Sequence, residues 1–491
     1  MARRPNIVLL MSDQHQAGMM GCAGDSFAPT PNIDRLAAAG TVFERAYCQG
    51  PLCMPARASL ATELYVRDHG VFENASIIPS GTATFMQRLS ESGYHTAEIG
   101  KMHLWVHGRT QVQDAAEMAP WLRELGFAEP IETVGKLASA RYRTPFTTYL
   151  EKKGLLEPYR EYIRSQQHGG GPIPQWDARP GPLDGPDYID TWHGERTADW
   201  IRAYDSDRPF FLWVGFPGPH DPYDAPRSAI DRLANASVPM PRSLQRPRVP
   251  HDGPLKVFLE LFLAYSDSAH MTEAAIGPMR RAYYANLALI DEAVGRIVEA
   301  LEETGRLDDT WIIYTSDHGD LMGEHRMIAK MVFYEPSVRV PLVVRPPGGI
   351  APLRVATPVQ LMDLAATFRE IAGAEPIAAS AAASLTGAVE EGGAAPDHRV
   401  IVSENYGFAM FLAGDRKLVV YEDPLQPVQF FDLAEDPNEE NDRIDDSGRA
   451  ADITEMMETL VRPFFARKPL RSHRNIVERT LAQRAAKAEN A

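Results

Sequence analysis

Cys53 stands two residues before Pro55 and four before Arg57 in the stretch GPLCMPARASLAT, at what reads as the start of a helix. Pro55 falls in the first turn, where its missing N–H costs little, and Arg57 lies one turn on over the same face. A thiol so placed has its pKa depressed by the helix N-terminus and by the guanidinium. Other reactive side chains stand just after short apolar runs: Asp13-Gln14, Lys101 and His103 in GKMH, His220 in GPHDPY, and Asp317-His318 in SDHGD, with Lys330 a short loop later. Asp13, Asp317 and His318 form a mixed oxygen and nitrogen set for a divalent cation, with Gln14 as a neutral fourth ligand. Oxygen-rich ligation suits Ca²⁺, and the imidazole leans toward Mn²⁺. Lys101, His103, His220 and Lys330 supply the positive shell that a sulfate or phosphate needs. The residues alone describe an activated cysteine beside a metal and a cationic shell.

These groups can meet only if the runs before them are strands of one sheet. Asn6–Met11, Thr96–Ile99, Phe210–Val214, Trp311–Thr315 and Leu342–Val344 are near-continuously apolar, the pattern of strands covered on both faces. Helical patterns over Pro31–Ala39, Thr84–Ser92, Thr191–Tyr204 and Met279–Thr304 alternate with them, which predicts an α/β fold with a mostly parallel central sheet. Ligands bind beyond the carboxyl ends of such strands, where the reactive residues fall. Two segments, 142–190 and 217–254, read as irregular, specificity-bearing loops, and Trp105, Trp176 and Trp192 are candidates for a substrate wall. The expected domains are a catalytic unit over 1–373, a linker-like 374–398, a small antiparallel-sheet subdomain over 399–470 and a polar tail over 471–491.

The 491 residues carry a net charge of −16 and no basic block before the last thirty, which argues against a nucleic-acid partner. The apolar run at the N-terminus is too short for a secretory core, which needs ~7–15 residues, and no stretch approaches the ~20 of a membrane span. Three cysteines without framework spacing suit a reducing compartment, so a cytoplasmic location is expected.

Cys53-x-Pro55-x-Arg57 followed by Ala58-Ser59-Leu60-x-Thr62 resembles the signature of the type I sulfatases of the alkaline phosphatase superfamily. NIVLLMSDQ, TPNIDRLAAAGTVFERAY, GKMHLW, TSDHGDLMGEHRMIAKMVFYEPSVRVPLVVR and FFDLAEDPNEENDR extend the likeness in order over most of the chain. Asp13-Gln14, Asp317-His318, PLCMPARASL and Asn74 resemble the choline sulfatase and phosphonate monoester hydrolase branch, while Lys101 and His103 follow the sulfatase pattern. The resemblance implies oxidation of Cys53 to formylglycine by a formylglycine-generating enzyme and a sulfate-ester substrate. It implies a metal held by Asp13, Gln14, Asp317, His318 and residue 53, and a homo-oligomer, dimer or tetramer. It makes Asp317 the base toward the attacking hydroxyl and His103 the base that frees sulfate. Arg57 and Lys101 hold the hydrated aldehyde, Lys330 and His220 contact sulfate and aid the leaving oxygen, and Gln14 and Asn74 join the substrate site. Hydrolysis of phosphonate monoesters or phosphodiesters, and anion binding by an unmodified Cys53, are the alternatives. One position departs from the family: Glu63 follows Thr62 where a glycine is usual.

Overall fold

The computed structural model describes residues 4–107, 111–166, 173–390, 395–396, 400–467 and the single positions 477, 479, 480 and 483. Its strands are β1 (Asn6–Asp13), β2 (Thr41–Phe43), β3 (Ala46–Tyr47), β4 (His95–Gly100), β5 (Glu129–Glu132), β6 (Phe210–Pro219), β7 (Thr310–Ser316), β8 (Arg339–Val340), β9 (Leu342–Arg345), β10 (Leu353–Val355) and β11 (Val359–Gln360). A C-terminal set follows: β12 (Ile401–Asn405), β13 (Phe408–Ala413), β14 (Arg416–Glu422) and β15 (Leu425–Asp432).

The main sheet has eight strands in the order β10-β2-β9-β7-β1-β6-β4-β5. From β7 to β5 every neighbouring pair is parallel, and β9 pairs antiparallel with both β7 and β2. Side chains of β1 alternate between two cores, as the pleat requires. Ile7, Leu9 and Met11 join Phe211, Trp213 and Ile313 on one face, while Val8 and Leu10 join Leu212, Val214, Ile312 and Tyr314 on the other. Burial on both faces is why these strands read as unbroken apolar runs. The helix Glu273–Glu303 covers the second face, starting six residues before the expected Met279, with Pro278 inside its second turn.

The expected loop at 142–190 contains two helices, Pro145–Lys152 and Leu156–Ser165. Thr144 caps the first through a reciprocal pair with Thr147, and Pro145 takes the first helical position. Within 217–254, β6 runs to Pro219 and Arg227–Arg232 is a short helix. The 374–398 segment does not hang free: Ile377, Leu385, Ala388 and Val389 are buried in the first core. β12 to β15 pair antiparallel in sequence order, as expected for the C-terminal subdomain. The polar tail after 470 lies outside the described residues except for the single positions named. No helix among the described residues is long and apolar enough to cross a membrane.

One buried titratable group supports the helix that carries Cys53. His69 Nδ1 accepts the Val71 N–H at 3.0 Å, which leaves Nε2–H to donate to Ser59 Oγ at 2.9 Å. Burial pulls its pKa down to about 3, against about 6.5 in the unfolded chain. The unfolded state therefore takes up the proton first as pH falls, so this contribution is complete above pH ~6.5 and is lost toward pH ~3. Wild type should lose stability relative to His69→Gln by about 1.4 kcal/mol per pH unit across that window. Parallel urea titrations of the two proteins would check this, and a pH-independent difference would contradict it.

Candidate active site

Parallel pairing brings the ends of four strands to one edge, with Ser12 of β1 opposite Ser316 of β7 and Gly100 of β4 opposite Gly215 of β6. At Gly100 (φ 120°) a Cβ would come within 2.2 Å of the Gly215 carbonyl oxygen, so only glycine lets the strands close in this way. Asp13, Lys101, His220 and Asp317 leave this edge together.

The helix Cys53–Thr62 is buried along its whole length and points its first residue at the cluster. Leu52 offers no side-chain cap; Asn74 Oδ1 instead accepts the Met54 N–H at 3.0 Å. Cys53 Sγ lies 3.2 Å from His318 Nε2 and 3.9 Å from Asp13 Oδ1. Burial would raise the thiol pKa, but Lys101, Lys330 and His318 outweigh it and hold Cys53 well below its ordinary value.

Arg57 is wholly buried and does not face the cavity. Its Nε donates to Asp317 Oδ2 at 2.8 Å, one terminal nitrogen to Asp13 Oδ2 at 3.2 Å, and the other to the Lys101 and Met102 carbonyls at 2.7 and 3.3 Å. Arg57 thereby braces both carboxylates and the Lys101 loop. Lys101 Nζ also pairs with Asp13 Oδ2. Against the burial penalty and the nearby thiol, Lys101, His220 and Arg57 keep the Asp13 carboxyl far below the usual range.

Asp13, Cys53, Asp317 and His318 each offer a ligand atom within 4.8 Å of the others. His318 Nδ1 lies 3.0 Å from the Gly319 carbonyl oxygen, which fixes the proton there and leaves the Nε2 lone pair for a cation. The donor set therefore fits a divalent ion. Gln14, at φ 71°, lies beside it, but its amide oxygen accepts from Lys330 Nζ at 2.5 Å and its amide nitrogen donates to Asp320 at 2.5 Å. Lys330 also donates to His220 Nε2 at 2.7 Å, and His220 Nδ1–H points to the Asp221 carbonyl at 2.6 Å.

Above this floor opens a cavity of about 530 Å³. Cys53, Asn74, Lys101, His103, His220 and Lys330 line it, so six of the sequence-predicted residues face the space and Asp13, Gln14, Arg57, Asp317 and His318 lie beneath. A second hollow of about 740 Å³ shares Asn74, His107, Arg141 and Tyr265 with the first and is walled by Phe258, Leu261, Phe262 and Tyr406. None of the three candidate tryptophans lines either hollow. Trp105 and Trp192 are core residues, and Trp176 packs at the edge of the core with its Nε1 donating to the Asp267 carbonyl. Sequence reading missed His107, whose ring stacks on His103 with centroids 4.3 Å apart, and the helix Gly253–Tyr265 that carries Phe258. The i, i+3, i+4 apolar spacing of Leu255, Phe258, Leu259 and Phe262 was the available signal for that helix.

The α/β sheet thus brings the N-terminus of the Cys53 helix, four side chains that could hold a divalent cation and a cationic rim to one edge. Residues 5–374 match the family model described as Sulfatase, and 323–464 match that of the N-sulphoglucosamine sulphohydrolase C-terminal region. The chain belongs to the sulfatase family. It is 32% identical to a choline-sulfatase of Rhizobium meliloti over 75% of this chain and 68% of that protein. It is 30% identical to an arylsulfatase of Clostridium perfringens over 71% and 69%. In fold it is similar to the phosphonate monoester hydrolase of Agrobacterium radiobacter, with a TM-score of 0.76 at 23% identity over 94% of this chain and 96% of that one.

Glu63 occupies the left-handed position (φ 60°) that ends the Cys53 helix, which explains why glycine is usual there. Its buried carboxylate pairs with Arg369 at 2.5 and 2.7 Å and accepts from Ser380 Oγ at 2.5 Å. Glu63→Gly would relieve about 1 kcal/mol of backbone strain but strand a buried guanidinium, a loss of about 3–5 kcal/mol. A net destabilisation of about 2–4 kcal/mol is expected. Urea denaturation measures it, and a stabilised variant would refute the account.

Proposed function

We propose that this chain hydrolyses sulfate monoesters through residue 53, oxidised from Cys53 to formylglycine, above a divalent cation (Ca²⁺ or Mn²⁺) held by Asp13, Asp317, His318 and residue 53. The observation that carries the reading is the meeting of that donor set with Lys101, His103, His220 and Lys330 at the floor of one cavity. When bound, such an ion supplies Lewis-acid stabilisation of charge on the nucleophile and on the sulfuryl oxygens. Asp317, kept oriented by Arg57 and by the Gln14 and His318 amides, takes the proton of the attacking hydroxyl. Lys101 and Lys330 hold the sulfuryl oxygens, and the Lys330–His220 pair protonates the departing alcohol oxygen. His103 then accepts the proton of the second hydroxyl on residue 53 as sulfate leaves. The apolar wall of Phe258, Leu261, Phe262 and Tyr406 favours an aryl or alkyl alcohol as leaving group. Maturation by a formylglycine-generating enzyme, cytoplasmic residence and homo-oligomeric assembly belong to the same reading.

Lys101 and His103 favour sulfuryl over phosphonyl transfer, so release from an aryl sulfate and from choline sulfate should exceed release from a phosphonate monoester. Equal or greater turnover of the phosphonate would reverse that assignment. Mass spectrometry of the peptide holding residue 53 should show an aldehyde; an intact thiol would leave only the anion-binding reading. Serine has no second hydroxyl from which to expel sulfate, so Cys53→Ser should release one equivalent of alcohol and stop. Sustained turnover by that variant would sink the mechanism. Chelation should abolish sulfate release and Ca²⁺ or Mn²⁺ should restore it; activity that survives exhaustive chelation speaks against the cation site.

A further inference from the structure

Glu132 is the last residue of β5, the edge strand of the main sheet, and no part of the site as described so far. Its carboxylate is buried and both oxygens are in use. Oε1 accepts the Val134 N–H at 2.8 Å and the Met102 N–H at 3.3 Å, while Oε2 accepts from Trp105 Nε1 at 3.1 Å. The Met102 and Trp105 contacts fall on either side of His103. Arg57 donates to the Lys101 and Met102 carbonyls of the same loop. The segment that bears Lys101 and His103 is therefore held by a guanidinium at its carbonyls and by a carboxylate at the Met102 N–H and the Trp105 indole.

The grip holds a backbone that would not hold itself. His103 has φ 51° and Val134 has φ 61°, and a β-branched residue in the left-handed region is an outlier that surrounding contacts must maintain. Gly135 continues the brace, since a Cβ there would stand 3.2 Å from the Lys101 Cε and Nζ. The β5 end is thus fitted against the Lys101 side chain as well as against the loop backbone.

We propose that Glu132 is a positioning residue that fixes the Lys101–Trp105 loop and, through it, sets His103 against residue 53. The kinetic side of this rests on the function proposed above, in which His103 takes the proton of the second hydroxyl. There the O–H electron pair becomes the aldehyde C=O bond, the C–O bond to sulfate breaks, and sulfate departs with its electron pair. A loop freed from Glu132 should slow this step more than it weakens substrate binding.

The test compares Glu132→Ala and Glu132→Gln with wild type, using mature enzyme with its metal and its residue-53 aldehyde content measured. Glu132→Ala should lower kcat by about 10–100-fold with little change in KM, the usual scale for loss of a supporting hydrogen-bond partner. Glu132→Gln keeps the amide oxygen for Met102 and Val134 and should recover most of the loss. In a His103→Ala background, Glu132→Ala should cost little more, because the two act on one step. Hydrogen–deuterium exchange should show lost protection at the Met102 and Val134 amides in Glu132→Ala, with the rest of the sheet unchanged. A rise in KM alone, full multiplication of the two losses, or unchanged exchange at these amides would overturn the proposal. If wild type turns over no sulfate ester, the function reading fails, while the exchange comparison still decides whether Glu132 fixes the loop.

Discussion

The Arg57 guanidinium, sealed between Asp13 and Asp317, is the interaction on which the rest depends. Two carboxylates from neighbouring strands cannot both stay ionised in a dry interior without a counter-charge, and a planar fork of donors is the side chain that can face both at once. That requirement reaches outward. β1 and β7 must be adjacent and parallel, so that Asp13 and Asp317 end together, and the Cys53 helix must enter under their ends so that its second turn delivers Arg57. The same helix then has no freedom in where it puts Cys53. Cys53 is located by an ion pair one turn away from it.

The charges near residue 53 bear on the encoded thiol and on the formylglycine proposed above. Arg57 is taken up by Asp13 and Asp317, while Lys101, Lys330 and His318 set a positive field on position 53. As encoded, the thiol at position 53 sits in that positive excess, which drives it toward thiolate despite its burial. Under the proposed function, in which this side chain becomes a neutral hydrate, the excess would have no partner within the protein, and an anionic sulfuryl group entering the cavity would supply one. The geometry that would make Cys53 a reactive thiolate is thus the one that, under that proposal, would make its oxidised form an anion-binding nucleophile.

Much of this was legible in the sequence, for a physical reason. Strands buried on both faces announce themselves as apolar runs, and parallel topology sends the residue after each run to a common edge, so Asp13, Lys101, His220 and Asp317 could be grouped before any fold was seen. β5 was not legible: EPIE is short, carries a proline and two charges, and sits half-exposed at the sheet edge, so it has no apolar run to show. Glu132 went unnoticed with it. The two helices inside 142–166 were hidden by the Gly- and Pro-rich residues that follow, although Thr144-Pro145 is a helix-start signal. Arg57 was placed correctly on its helix, but its two carboxylate partners were not foreseen, because spacing along one helix says nothing about which carboxylates wait across the core.

The C-terminal sheet shows the same limit at longer range. Asn405, at the end of β12, donates to the Met331 carbonyl at 2.7 Å, and Tyr406 in the following turn (φ 49°) lines the apolar hollow. Met331 is the residue after Lys330, so the hairpin between β12 and β13 holds the chain that presents Lys330 to the cavity. Lys417 of β14 adds a second tie, its ammonium buried between Glu335 and Glu439 at 2.7 Å from each. A buried cation with two carboxylate partners strongly penalises separation of the two parts, since parting them would strand a charge on one side or the other. The C-terminal sheet is therefore part of the wall and support of the candidate site, and a change in its first hairpin acts on Lys330 and on the apolar hollow together.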